Sequence, residues 1–204
     1  MAKLQKAVQP RAWQRMLSGR RLDLLDPSPF DIEIEDIAHG LARVARWNGQ
    51  TFGDHAFSVA QHCILVEDVV AQLKPGVAQR WRLAALLHDA PEYVVGDLIS
   101  PFKAAVGIDY KSLENKLLAA IHVRFGLPAL LPEDITALIK RADKAAAYLE
   151  ATQIAGFAID EALEFFGAPR GLAPVKLSPL PAAEIQRRFV ERFKILLPSA
   201  TAYR

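Results

Sequence analysis

Residues 86–103 read LLHDAPEYVVGDLISPFK, and apolar packing alone does not account for them. An apolar approach, Leu83-Ala84-Ala85-Leu86-Leu87, delivers His88 and Asp89 side by side, and Glu92 and Asp97 follow within ten residues. A hydrophobic segment that ends in an imidazole and three carboxylates carries ionisable groups toward a buried place. Burying charge is costly unless it is paired or coordinates a cation. The plain alternative is a helix end fraying into a polar surface loop. The sharper one is a divalent-metal site, and the rest of the chain can be read against it. Pro91 lacks an N–H and disfavours helical geometry at Ala90. A helix over 79–90 therefore stops or kinks there, placing His88 and Asp89 in its terminal turn.

Working outward, Ser58 is an N-cap candidate for a helix over 58–73, closed by Pro75 and Gly76. Its inward stripe of Val59, His62, Val66, Val69/Val70 and Leu73 puts His62 on the apolar face. A long helix is expected from Pro132 to about residue 155, with a stripe of Ile135, Leu138/Ile139, Ala142, Ala146 and Leu149. Asp143 lies inside that stripe, while Lys140, Arg141 and Lys144 face outward. Further helices are expected over 34–46, 98–106, 110–125 and 161–166, with a last one opened by Pro181 and carrying Ile185, Phe189, Phe193 and Leu196. Pro10 and Gly19 bracket a short helix over 11–18. Residues 167–181 form the longest irregular stretch. With no β-periodic segment of note, the expected fold is an all-α helical bundle in one domain. Its parts are a basic N-terminal helix and turn over 1–30, a helical core over 31–166, and an irregular stretch with a C-terminal helix packed on that core over 167–204.

The 204 residues suffice to bury one substantial core. Net charge is only +2 and 24% of residues are charged, a balance that does not argue for nucleic acid. The basic, acid-free arm over 1–22 reads as a solvated helix; a nucleic-acid role for it would show as steep salt dependence. Cys63 is the sole cysteine, which rules out an internal disulfide or a thiolate cluster and fits a reducing cytoplasm. No apolar run approaches the roughly 18 residues of a membrane span, and the N-terminus lacks a signal-peptide core.

Three helices thus each offer a metal-capable group on an apolar face: His62, then His88 with Asp89, then Asp143. Two imidazoles and two carboxylates suit one divalent ion such as Mn²⁺, Co²⁺, Ni²⁺, Fe²⁺ or Zn²⁺. The order is His, then His-Asp 26 residues on, then Asp 54 residues beyond that pair. This H…HD…D pattern resembles the HD-domain phosphohydrolase superfamily. Arg46-Trp47 ahead of SVAQH (58–62), then HDAPEYVVGD ending in Pro101-Phe102-Lys103, then KRADKAAAYLE (140–150), is similar to the bacterial 5′-deoxynucleotidase branch. That branch usually carries Glu where Gln61 stands, and Pro91 is a second departure. The likeness covers roughly half the chain, about residues 45–150.

The resemblance implies a metal-dependent phosphohydrolase acting on a nucleoside 5′-monophosphate, with His62, His88, Asp89 and Asp143 as ligands. It makes Glu92 the residue that orients or deprotonates the attacking water, and Asp97 a holder of water or a supporting partner. It places Arg46 on the phosphate and Trp47 against the sugar, where a 2′-hydroxyl would have to fit. Relatives also suggest a homodimer. Each of these residues has a plainer reading too. Arg46 suits a helix C-terminus, Trp47 suits a core, and Asp97 after Gly96 suits a turn or N-cap. Lys103 is either a phosphate ligand or solvated. His55 stands in a loop from which it could reach phosphate, and His122 shares an apolar face. Two rival functions remain beside the leading one. The first is a pyrophosphohydrolase of alarmone type, against which Tyr93 counts because those relatives carry a second acid after the Glu. The second is a sensor that binds metal and nucleotide without turnover.

Overall fold

A computed structural model describes residues 12–98 and 110–197. Lys103 and most of the helix expected over 98–106 lie outside the described residues. The architecture is the expected all-α bundle: α1 Ile34–Leu41, α2 Val59–Leu73, α3 Gln79–Leu86, α4 Glu92–Val95, α5 Tyr110–Arg124, α6 Glu133–Gln153, α7 Ile159–Phe166 and α8 Ala182–Leu196. Among the described residues no helix is long and apolar enough to cross a membrane.

The bundle is built around α2, which packs on α3, α6, α8 and α1. Ser58 caps it as expected, its hydroxyl accepting the Gln61 N–H at 3.3 Å. Val59, Val66, Val69 and Val70 are fully buried. Lys74, just beyond the C-terminus of α2, pairs with Asp134 in the first turn of α6, while His62 near the α2 N-terminus meets Glu150 near the end of α6. The two helices therefore run antiparallel. A second tie is ionic. Glu67 on α2 is fully buried between Arg82 of α3, at 2.5 Å, and Arg192 of α8. A carboxylate sealed from water without such partners would destabilise the fold.

The N-terminal segment departs from expectation. In place of a helix over 11–18, β1 Trp13–Arg15 and β2 Arg21–Asp23 form an antiparallel hairpin, with Gln14 opposite Leu22. Gly19 turns the chain at φ 87°. The Ser18 N–H and hydroxyl both bond the Asp36 carboxylate on α1, at 3.0 and 2.5 Å. Met16 and Leu22 are the segment's buried apolar side chains, too few to line one face of a helix. Anchoring to Asp36 selects the extended form.

Two other expected helices end early, and both shorten toward the site. α1 stops at Leu41 instead of reaching Arg46, because residues 44–46 pair with the chain entering α2. Val59 N–H donates to Val44 O at 2.9 Å and Arg46 N–H to Phe57 O at 2.8 Å, with a bridge between Ala45 and Ser58. Arg46 is therefore not the C-terminal cation of α1; it opens a 3₁₀ turn, Arg46–Gly49. α3 ends at Leu86, and residues 87–91 descend in successive turns to α4. Residues 167–181 are irregular as expected, yet fastened. Gln61 donates to Ser178 O (3.0 Å) and accepts from Leu180 N–H (2.9 Å). Gln153 likewise donates to Val175 O and accepts from Leu177 N–H, both at 3.0 Å.

Candidate metal centre

His62 is fully buried on the inward face of α2, as its stripe predicts. His88 and Asp89 occupy the turn after α3, and Asp143 faces them from the middle of α6. The imidazole rings of His62 and His88 lie 5.2 Å apart, centroid to centroid. His62 Nε2 stands 3.1 Å from Asp143 Oδ1 and 3.5 Å from Asp89 Oδ2, and His88 Nε2 stands 3.3 Å from Asp89 Oδ2. The ligand atoms of His62, His88 and Asp143 all fall within 4.8 Å of one another. Bonds of about 2.0–2.2 Å to a shared ion would put adjacent ligand atoms about 3.0–3.4 Å apart. The 3.1 and 3.3 Å pairs fall in that range and the 3.5 Å pair just beyond it, and the His62–His88–Asp143 group could hold a metal ion.

The far side of each ring fixes its orientation. His88 Nδ1 lies 2.8 Å from Ala85 O, a carbonyl that can only accept, so Nδ1 carries the proton. His62 Nδ1 lies 2.6 Å from Glu150 Oε1, and an ionised carboxylate imposes the same tautomer. In both neutral rings the lone pair then sits on Nε2. Both Nε2 atoms are buried, and neither makes a hydrogen bond with a described residue. Two buried, unsatisfied ring nitrogens aimed at two carboxylates form the donor set that a borderline divalent ion takes.

The electrostatics are those of a charged cluster removed from water. Burial disfavours the His62 imidazolium and Arg46 repels it, yet Glu150 and Asp143 outweigh both and hold its pKa above the ordinary value. His88 is raised well above that value because Asp89 overcomes its burial. Burial pushes the Asp89 and Asp143 carboxyls up, but the two imidazoles draw both below the ordinary range. A cation entering here takes the place of the imidazole protons as the partner of the carboxylates.

Arg46 borders this cluster. Its Nη1 donates to Asp97 Oδ2 at 3.0 Å and its Nε to Glu150 Oε2 at 3.3 Å, while Nη2 makes no hydrogen bond with a described residue. Asp97 therefore serves as the partner of Arg46. The Trp47 indole N–H donates to Glu150 Oε2 at 2.9 Å. The Trp47 ring tilts against Phe157 and meets Phe166 edge-on, at 5.4 and 5.9 Å between centroids. Trp47 and its neighbour Asn48 are left-handed, with φ of 56° and 50°, a conformation that is strained for a bulky side chain. Glu92 is buried at the start of α4, and its N–H donates to Asp89 O at 3.0 Å. His55 is exposed in the loop before α2, and His122 is buried on α5.

Sequence reasoning missed Glu150. It is fully buried, and it binds a candidate ligand and both residues of the Arg46-Trp47 pair. Its position was the available signal. Seven residues after Asp143, it returns to the same face of α6 two turns on, inside an otherwise alanine-rich stripe.

An uncharacterized protein of Rhodobacter capsulatus, RCAP_rcc00048, is 62% identical over 194 residues, covering 93% of this chain and 97% of that one. The uncharacterized protein YfdR of Escherichia coli is 31% identical over 169 residues, covering 81% of this chain and 85% of its own. No protein-family model matches the chain.

Proposed function

This chain belongs to one protein family with these Rhodobacter and Escherichia proteins, and we propose that it is an HD-type, metal-dependent phosphohydrolase that removes the 5′-phosphate from a deoxyribonucleoside monophosphate. The observation that carries the reading is the convergence of His62, His88 and Asp143, whose ligand atoms lie within 4.8 Å of one another, with Asp89 beside both imidazoles and an arginine at the edge. The ion is a divalent transition metal, Mn²⁺, Co²⁺, Ni²⁺, Fe²⁺ or Zn²⁺. Bound there, it would supply Lewis acidity to a phosphoryl oxygen and make water nucleophilic near neutral pH.

The chain's own residues account for the rest. Arg46 presents Nη2 to a phosphate dianion, while Asp97 and Glu150 lock the other side of its guanidinium. Glu92 takes the proton of the attacking water as the new P–O bond forms. The bond to the 5′-oxygen breaks, and that oxygen leaves as the nucleoside hydroxyl on receiving the proton that Glu92 took from the water. The Trp47 ring is braced by Phe157 and Phe166 and closes the sugar side, where it discriminates against a 2′-hydroxyl.

Stripping the protein of metal, restoring Mn²⁺, Co²⁺, Ni²⁺, Mg²⁺ or Zn²⁺ in turn, and assaying phosphate release from deoxy- and ribonucleoside monophosphates tests the reading. Release is expected with a transition metal, and Asp89→Ala should abolish it. Release that survives Asp89→Ala unchanged would remove the mechanism. Equal cleavage of ribo- and deoxy-substrates would remove the role of Trp47.

A further inference from the structure

We infer that Glu150 couples the metal-ligating imidazole to the anion-binding Arg46-Trp47 loop, so that a divalent cation and phosphate bind this chain cooperatively through one buried carboxylate. The inference rests on the metal-site reading above and goes beyond it.

Both oxygens of Glu150 are committed, and to different machinery. Oε1 accepts from Nδ1 of His62 at 2.6 Å. Oε2 accepts from the Trp47 indole at 2.9 Å and from Arg46 Nε at 3.3 Å. The carboxylate is fully buried, so no water can replace a partner that moves away. Its carboxyl plane is rigid, and a displacement of His62 is passed to the Arg46-Trp47 pair. The receiving loop is poised to respond, because Trp47 and Asn48 sit in left-handed conformations that only their surroundings sustain.

The sign of the coupling follows from charge. A cation on Nε2 polarises the His62 ring and makes its Nδ1–H a stronger donor to Glu150. Phosphate on Arg46 draws the guanidinium's charge away from Glu150 and leaves the carboxylate more negative toward His62. Each ligand thereby strengthens the contact the other needs. Linkage requires the effect to be equal in both directions.

The coupling calls for a carboxylate in particular. A glutamine has the same shape but a single acceptor oxygen. Whichever way it is turned, its NH₂ group faces either His62 Nδ1–H or the donors of Arg46 and Trp47.

The test is Co²⁺ binding to the metal-stripped full chain, followed by visible absorption and calorimetry, with and without inorganic phosphate. In the wild type phosphate should tighten Co²⁺ binding. Glu150→Gln should weaken Co²⁺ alone by about 10–100-fold, shift the Co²⁺ absorption bands, and abolish the enhancement by phosphate. An enhancement in Glu150→Gln equal to that of the wild type would overturn the inference while leaving the metal site standing. A wild type that binds no Co²⁺ would overturn the metal-site reading itself. If Glu150→Gln does not fold, Trp47→Phe cuts only the Oε2 side. The enhancement of Co²⁺ binding by phosphate should then fall, and an undiminished enhancement would overturn the inference equally.

Discussion

Glu92→Gln separates ligation from proton transfer, since the amide keeps the shape of the side chain and loses its basicity. Bound metal is expected to match the wild type by elemental analysis, while phosphate release falls about 10²–10⁴-fold. Loss of the metal would instead make Glu92 a ligand. At this scale the candidate ligands were legible because each breaks an apolar stripe: His62 among the valines of α2, Asp143 among the alanines and isoleucines of α6. Glu150 breaks the same stripe two turns after Asp143 and was read only as the last letter of a motif. Its role depends on residues about a hundred positions away, which no periodicity along a single helix can supply. Gln61 is the converse case. As a departure from a resembling pattern it had no explanation, whereas in the fold it donates and accepts at once, which a glutamate cannot do.

Among the elements, the segment over 167–181 is held to α2 and α6 by these amides. Gln61→Glu removes the donor to Ser178 O and sets a carboxylate against that carbonyl. A loss of about 1–3 kcal/mol is expected, read as a lower Tm, with Co²⁺ affinity unchanged because the Gln61 amide is bonded to Ser178 and Leu180 and to none of the candidate ligands. Unchanged melting with lost metal would mean that Gln61 serves the site directly. α5 gives a pH test. His122 is buried beside the backbone of Pro128 and Ala129, and burial holds its pKa below the ordinary 6.5. The unfolded chain therefore takes up this proton first, so the stability His122 contributes above its ordinary pKa is lost as pH falls through that value. Denaturant titrations between neutral pH and about pH 5 should show a shallower loss of stability in His122→Gln than in the wild type; identical slopes would contradict the assignment. The longer helices were legible after residue 30, but the short turns over 46–49 and 92–95 and the helix ends were not. α1 and α3 both stop short where the backbone exchanges helical bonds for contacts with the entry to α2 or for the turns that carry His88 and Asp89.

For the whole molecule, the all-α class followed from the recurrence of 3.6-residue stripes, and the antiparallel pairing of α2 with α6 brings residues 81 positions apart into one cluster. The hairpin over 13–23 escaped the sequence because what selects it is remote: Asp36, on a different element, takes both hydrogen bonds from Ser18. α2 and α6 supply His62 and Asp143, and the turn after α3 supplies His88 and Asp89, so that four ionisable side chains meet in one small volume. Elemental analysis of the purified chain after dialysis against Mn²⁺, compared with Asp143→Ala treated identically, tests this most directly. One ion per chain in the wild type and almost none in the variant is the predicted result; equal metal in both, or none in the wild type, would contradict the account.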